Sequence, residues 1–416
     1  MQDKLPYTKD FTAMIKIIIW NCLGFFFLDF SIPFIAKNEL NASGLEMGLL
    51  YSIITLGALL SSPIAGWLTD RTSRNKLVFF GAFGRGISYF VLYAAILLKS
   101  YAGIAFGYFM LGFCVSFFWV PLDTLIADKT DKDHRSYAYG KGESAKGKGI
   151  LAGTAIGVSL FLIGNAYFPD RVWFMYAAIP LFGIANILAG ILFFHRVDEH
   201  IKYEPLDNLH ENNISVPIIA GSTHNSKILF WGVLILLITL FLSNVNGTLA
   251  RPFIQYYLLS TLTTDANLVI LVYMPAGILS MLIGPYLGRI VDRISPYIGI
   301  IVTSIIGAFA TLILINISSA LDFMFILILD TTMSATSSLV MQNFISRVTK
   351  THRGRLFGMR SFFAGAGGVI GPILGGLLWD TWGMQWPFIV SIYVELALIP
   401  LFLVAMMKIL PHLAEK

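Results

Sequence analysis

Apolar residues run along this chain in blocks too long for the helices of a soluble core and too uniform for an amphipathic surface. Twelve blocks reach the length of about 20 residues that a bilayer-crossing helix needs. They cover residues 12–35, 46–68, 77–98, 101–126, 141–167, 172–194, 228–258, 266–291, 298–317, 321–346, 356–379 and 386–408, numbered here as spans 1 to 12. Short polar turns separate them, and most lack the polar face that a soluble helix turns to water. The pattern predicts an all-α polytopic membrane protein with 12 transmembrane helices. One polar stretch is longer, HRVDEHIKYEPLDNLHENNISVPIIAGSTHNSK over residues 195–227. It reads as a cytoplasmic linker between an N-terminal six-helix bundle at 1–194 and a C-terminal one at 228–416.

Composition agrees. The 416 residues are 56% hydrophobic and 13% charged, against about 25% charged in soluble domains. A polar head with Lys4, Lys9 and Asp10 precedes span 1, so no cleavable signal peptide is expected. Cys22 and Cys114 fall inside spans, which argues against a disulfide framework or a metal site.

The charge distribution sets the expected orientation. Lys and Arg crowd one set of loops: Arg71, Arg74, Lys76, Lys129, Lys132, Arg135, Arg289, Arg293, Arg347, Lys350, Arg353 and Arg355. The opposite loops hold Lys37, Lys99 and Arg171, while Arg85 and Arg251 lie within spans. The positive-inside rule then predicts both termini in the cytoplasm. The net charge of +5 follows from this topology and implies no nucleic-acid partner.

The two halves echo each other. Gly66, Asp70 and Arg71 of GWLTDR answer to Gly288, Asp292 and Arg293 of GRIVDR, 222 positions later. Pro33-Phe34-Ile35 recurs as Pro252-Phe253-Ile254, 219 later, and His134-Arg135 with Gly140 recurs as His352-Arg353 with Gly358, 218 later. In that last register Gly149, Gly153 and Gly157 match Gly367, Gly371 and Gly375. Ordered matches in nearly constant register indicate an internal duplication. Glycines spaced by four also leave a stripe without side chains, along which helices approach closely in lipid.

With these features the chain resembles the major facilitator superfamily over essentially its whole length. The most specific segment is GWLTDRTSRNK, which is similar to that family's motif A: Gly66, Leu68, Asp70, Arg71, Arg74 and Lys76 match, and Ser73 replaces a usual glycine. The resemblance implies the MFS fold, two pseudo-symmetric six-helix bundles, working by alternating access. It also implies a cytoplasmic gate of Gly66, Asp70, Arg71, Arg74 and Lys76 with the repeat residues Gly288, Asp292 and Arg293. Asp70 would face the N-terminal end of span 11 near Arg355 and Arg360, where a carboxylate is favoured. Arg71, Arg74 and Lys76 equally satisfy the positive-inside rule. The family's antiporter motif is degenerate on span 5, with Thr154 in place of Pro, and intact on span 11 as Gly367 to Gly371-Pro372 to Gly375-Gly376. The arginine that proton-coupled exporters often carry on helix 4 is absent. The segment FSIPFIAKNELNASGLEMGLL is similar to drug–proton antiporters.

Ionisable groups at membrane depth are costly and face a cavity or a partner. Asp29, Arg85, Arg251 and Asp330 lie deep; Asp123, Glu143 and Lys146 lie nearer the cytoplasm. All seven His fall outside the spans, against a His relay. Asn244, Thr248, Arg251 and Gln255 form a polar stripe on span 7; Asp330, Ser334 and Ser337 form one on span 10; Ser116, Trp119 and Asp123 share a face of span 4. In the family, helices 1, 4, 7 and 10 line the cavity. The substrate-cavity candidates are therefore Asn21, Phe26, Trp119, Asn244, Thr248, Arg251, Gln255 and Ser334. The proton-coupling candidates are Asp29 first, then Asp330, Asp123 and Glu143. Arg251 is the expected counter-charge of Asp29, in a pair whose role is either coupling or structural.

The chain contains no GxxxxGK[ST] run, which disfavours ATP drive. No nucleophile and His share a membrane depth, which disfavours an enzyme. The expectation is a secondary active transporter in a prokaryotic cytoplasmic membrane, functional as a monomer. It would use the proton gradient, with no cofactor or metal, to export amphiphilic or drug-like small molecules by antiport. The alternatives are a proton-coupled importer of a polar solute such as a sugar or organic anion, and a lipid flippase.

Overall fold

The computed structural model describes residues 7–131, 134–203, 223–291, 293–348 and 353–409. Over these the chain forms α1 (Phe11–Asn21), α2 (Phe25–Asn38), α3 (Gly44–Thr69), α4 (Arg74–Leu97), α5 (Tyr101–Asp128), α6 (Arg135–Tyr167), α7 (Val172–Met175), α8 (Ala178–Arg196), α9 (Thr223–Leu249), α10 (Arg251–Thr261), α11 (Ala266–Val291), α12 (Pro296–Leu314), α13 (Ala320–Val348), α14 (Arg353–Trp382) and α15 (Trp386–Ile409). Among the described residues there is no strand; Tyr7 and Thr130 share an isolated bridge. Eleven stretches of the described residues are long and apolar enough to cross a membrane, and α11 adds the shorter apolar run Asn267–Leu279. The large apolar side chains left exposed, among them Trp67, Phe80, Phe106, Phe309 and Phe325, make up the lipid-facing surface that so extensive an apolar exterior requires.

Three spans expected as single helices are broken; span 6 sheds the short turn α7 ahead of α8, and the other two divide into longer pieces. Span 1 divides into α1 and α2 across residues 22–24, and span 7 into α9 and α10 at Ala250. The break in span 7 has a covalent cause. Pro252 lies in the first turn of α10, a position proline tolerates, but it cannot donate to the carbonyl four residues earlier. The first break has no proline within it; Gly24 lies in the turn and the surrounding helices stabilise it, as described below.

The chain separates into two compact units, Met1–Ile35 with Ile53–Ile218, and Ala36–Ser52 with Ile219–Lys416. In the first, α1 packs on α6 and α8, and α4 packs on α5 and α8. In the second, α9 packs on α14 and α15, and α12 packs on α13 and α15. Helix for helix, the second set repeats the first. The cores follow the same plan: Met14, Val78, Phe118 and Phe193 from α1, α4, α5 and α8 in the first unit, and Leu240, Ile300, Phe344 and Phe402 from α9, α12, α13 and α15 in the second.

The matched glycine stripes have matched tasks. Gly149 and Gly153 of α6 meet the α1 end of the first break, where a Cβ on Gly153 would overlap the Leu23 carbonyl oxygen. Gly367, Gly371 and Gly375 of α14 lie against α9, where a Cβ on Gly371 would overlap the Thr248 hydroxyl. Each stripe lets backbone reach backbone beside a broken helix. The segment 36–52 is held in the second unit by polar contacts. The Asp380 carboxylate accepts from the N–H groups of Gly44 and Leu45, both at 2.8 Å, which places an anion on the N-terminus of α3.

Candidate functional site

The turn of GWLTDRTSRNK is built by capping. The N–H groups of Arg71 and Thr72 return to the Leu68 carbonyl, and Ser73 is the N-cap of α4, its side chain accepting from the Lys76 N–H. The serine that departs from the family pattern thus starts the next helix. Its repeat counterpart, Ser295, caps α12 through the Ile298 N–H, 222 positions later and in the same register.

Glu199 completes the α4 cap. Its carboxylate accepts from the Arg74 N–H at 2.6 Å and the Asn75 N–H at 3.3 Å. Burial alone would push Glu199 up, but the Ser73 hydroxyl and those two N–H groups hold it below the usual glutamate range. Arg74 pairs with Asp128 at the end of α5, and Arg71 lies over the Trp67 ring, 4.4 Å from its centroid. Asp70, Arg71 and Lys76 are exposed, as is Arg293. A Cβ on Gly66 would meet nothing within 4 Å. Asp292 lies outside the described residues. Gly288 falls in α11 and Arg360 in α14, with side-chain surroundings that lie outside the described part.

A second tie closes the same end of the first unit. Lys129, fully buried, donates to Asp10 at 2.6 Å and to the carbonyls of Asp198 at 2.6 Å and Ile201 at 3.1 Å. Burial pushes the Asp10 carboxyl up, but Lys129, the Thr8 hydroxyl and the Asp198 N–H outweigh it and hold it below its usual value. Neither this pair nor Glu199 stands out in the sequence, because the partners are far apart along the chain.

Within the membrane spans of the first unit, two clusters gather charged side chains. Arg85 of α4 is fully buried. It donates to the Asn21 side chain and, at 3.1 Å, to the Asn21 carbonyl, with Phe25 4.5 Å below its guanidinium. Asn21 in turn donates to Asn186 of α8 at 3.0 Å. A cation thereby satisfies a carbonyl at the C-terminal end of α1, which explains how the chain breaks there without proline. Asn21 is committed to this cluster and wholly enclosed.

The second cluster gathers Trp119, Asp123, Glu143 and Lys146. Lys146 lies 3.6 Å from Glu143 and 5.0 Å from the Trp119 ring centroid, and both charges act on Asp123. Asp29 is half-buried in α2, within electrostatic reach of Tyr108, and Phe26 is half-buried beside it in sequence.

In the second unit the expected stripe of span 7 is divided by the break. Asn244 and Thr248 lie on α9; Arg251 and Gln255 lie on α10. Thr248 donates to the Gly367 carbonyl of α14 at 3.0 Å, and Asn244 donates to its own helix at Leu240. Gln255 is buried, 1% exposed, while Arg251 and Ser334 are exposed. Asp330 accepts from Thr311 of α12 at 2.9 Å. Glu395, in the middle of α15, is a further ionisable residue inside an apolar span. It accepts from Asn246 at 3.0 Å and Ser304 at 2.6 Å. The rule that singled out Asp29 and Asp330, a charge inside an apolar span, applied equally to it.

A membrane-embedded protein of two repeated helical units, each built around a broken first helix with buried polar groups, has the architecture of a transporter. The family model described as Major Facilitator Superfamily matches residues 17–343 and 236–414, and the chain belongs to that superfamily. It is a membrane transporter of small molecules and not an enzyme. Among its relatives, multidrug resistance protein MdtG of Citrobacter koseri is 25% identical over 369 residues, covering 84% of this chain and 82% of that protein. The multi-drug resistance efflux pump PmrA homolog of Lactococcus lactis is 27% identical over 352 residues, covering 80% and 78%. Among solved structures, a bacterial homolog of the human lysosomal transporter Spinster superposes with a TM-score of 0.77 at 12% identity, covering 99% of this chain and 100% of that one. The nucleoside transporter NupG gives 0.70 at 13% identity, covering 95% and 99%. These two share the fold.

Proposed function

We propose that this protein exports amphiphilic, drug-like small molecules across a bacterial cytoplasmic membrane by proton antiport and alternating access. The observation that carries the reading is the similarity, over about four fifths of the chain, to proteins named for multidrug resistance. Carboxylates inside apolar spans support proton drive. Asp29 is the first coupling candidate, with Asp330 behind it and Asp123 and Glu143 nearer the cytoplasm. The absence of a phosphate-cradling GxxxxGK[ST] run from the sequence fits a gradient-driven pump. The excess of Lys and Arg in alternate loops supports a topology with both termini inside, and in this reading the chain acts as a monomer without cofactor.

A second reading, import of a polar anion, draws on the exposed Arg251 of α10. Cells expressing the protein should exclude a fluorescent lipophilic cation, and a protonophore or Asp29→Asn should abolish that exclusion. Unchanged dye loading on expression, together with uptake of an organic anion lost in Arg251→Gln, would favour the second reading instead.

A further inference from the structure

We propose that Glu395 is a reversible proton-binding site inside the second unit, and that the Asn246 amide turns over with its protonation. The ionised carboxylate has two donors, Asn246 Nδ2 on Oε2 and the Ser304 hydroxyl on Oε1. Asn246 is 4% and Ser304 3% exposed, so neither donor has water to fall back on. Among the described residues no cation pairs with Glu395. An unpaired charge in an apolar span is costly, and a proton removes it.

The second observation is the Asn246 Oδ1, which is buried and has no hydrogen-bond partner. A neutral Glu395 carries an O–H and needs an acceptor where the ionised form needed a donor. Rotating the Asn246 amide by half a turn places Oδ1 where Nδ2 now points, so that it accepts from the carboxyl O–H. One amide atom is unmatched in either state, Oδ1 with the carboxylate and Nδ2 with the acid, so the amide serves both forms and the proton exchanges reversibly.

The repeat sharpens the point. Asn246, Ser304 and Glu395 come from α9, α12 and α15, the counterparts of α1, α4 and α8, which supply Asn21, Arg85 and Asn186. Ser304 follows Arg85 by 219 positions, the interval that separates Pro33 from Pro252. In the first unit the charge is a guanidinium, always ionised, and the cluster is a fixed strut. In the second it is a carboxyl, whose charge a proton can cancel. Asn246 stands one turn before the break at Ala250, so the state of Glu395 is felt where α9 gives way to α10.

Other charges around α15 are few. Asp330 of α13 is within electrostatic reach of Glu395. The sequence of α12 contains no Asp, Glu, Lys, Arg or His. Those of α9 carry His224 and Lys227 in the opening turns. On α14 they are Arg353, Arg355 and Arg360 near its start and Asp380 near its end, and α15 itself carries Lys408 in its last turn.

The use of this proton in transport rests on the antiport reading above; its binding does not. The test is pH-difference infrared spectroscopy of the purified full-length protein in lipid nanodiscs. Wild type should show a titrating protonated-carboxyl band that Glu395→Gln removes. Ser304→Ala, which keeps the carboxyl and removes one donor to its ionised form, should move the midpoint of that band to higher pH by about one to two units. A spectrum unchanged in Glu395→Gln, or a midpoint unmoved in Ser304→Ala, overturns the proposal. If liposomes exchange protons for substrate but the Glu395→Gln spectrum matches wild type, the site is wrong and antiport stands. If the band is lost yet no substrate moves protons in wild type, the site stands and antiport fails.

Discussion

Replacing Lys129 by methionine removes the cation from a buried pair while leaving its anion in place. Lys129 is fully buried and Asp10 is 9% exposed, so the carboxylate cannot turn to water without moving the start of α1. Losing one partner of a buried pair costs about 3–5 kcal/mol. Asp10 keeps the Thr8 hydroxyl and the Asp198 N–H, which sets the expectation at the lower end, about 3 kcal/mol. The carbonyls of Asp198 and Ile201 also lose their donor, so the segment after α8 should loosen as well.

Unfolding by SDS in mixed micelles, followed by tryptophan fluorescence, measures the difference. Asp10→Asn with Lys129→Met should recover much of the loss, because a neutral pair no longer strands a charge. Acid gives an independent arm. Asp10 titrates below its ordinary value of 3.8 when folded, so its contribution is complete above that pH and disappears as pH falls through the folded value. The stability gap between wild type and Asp10→Asn should therefore hold from neutrality to about pH 4 and narrow below it. A Lys129→Met variant no less stable than a Met substitution at the exposed Lys76 would refute the reasoning.

Three further expectations follow from the fold. Gly153→Ala drives a Cβ into the Leu23 carbonyl and should cost about 1–3 kcal/mol in the same unfolding assay. Gly140→Ala, where a Cβ meets nothing within 4 Å, should be neutral or stabilise by up to about 1 kcal/mol; equal effects at the two positions would contradict the packing account. Arg85→Lys replaces a fork that serves both the side chain and the carbonyl of Asn21, and should lower stability by about 1–3 kcal/mol, with amide exchange rising at residues 22–24. Asp380→Ala strips two N–H groups of their acceptor at the start of α3 and should cost about 0.5–2 kcal/mol; an unchanged denaturation midpoint would show that water replaces the carboxylate.

Much of this architecture was legible because membrane spanning imposes a simple rule: a long apolar block must become a helix. The repeat was legible too, since Gly149 and Gly153 and their partners 218 positions later serve the same close approach to the end of α1 and to α9. The breaks in spans 1 and 7 were not. Asn21 to Gly24 contains no proline, and the group that supports the break, Arg85, lies 64 positions away. The polar stripe of span 7 assumed one continuous helix, and Ala250 ends that register. Asp10, Lys129 and Glu199 read as ordinary charged residues at helix ends, and only the fold brings them to buried partners. Glu395 was legible by composition alone, whereas its donors on α9 and α12 were not.

The central claim, proton-driven export, is tested most directly by measuring proton movement in liposomes containing the purified protein and an entrapped pH-sensitive dye. With an acidic interior, adding an amphiphilic cation outside should produce proton release from the lumen matched to substrate entry, abolished by Asp29→Asn. Substrate entry with no accompanying change in lumenal pH, indifferent to the gradient and to Asp29→Asn, would contradict the account.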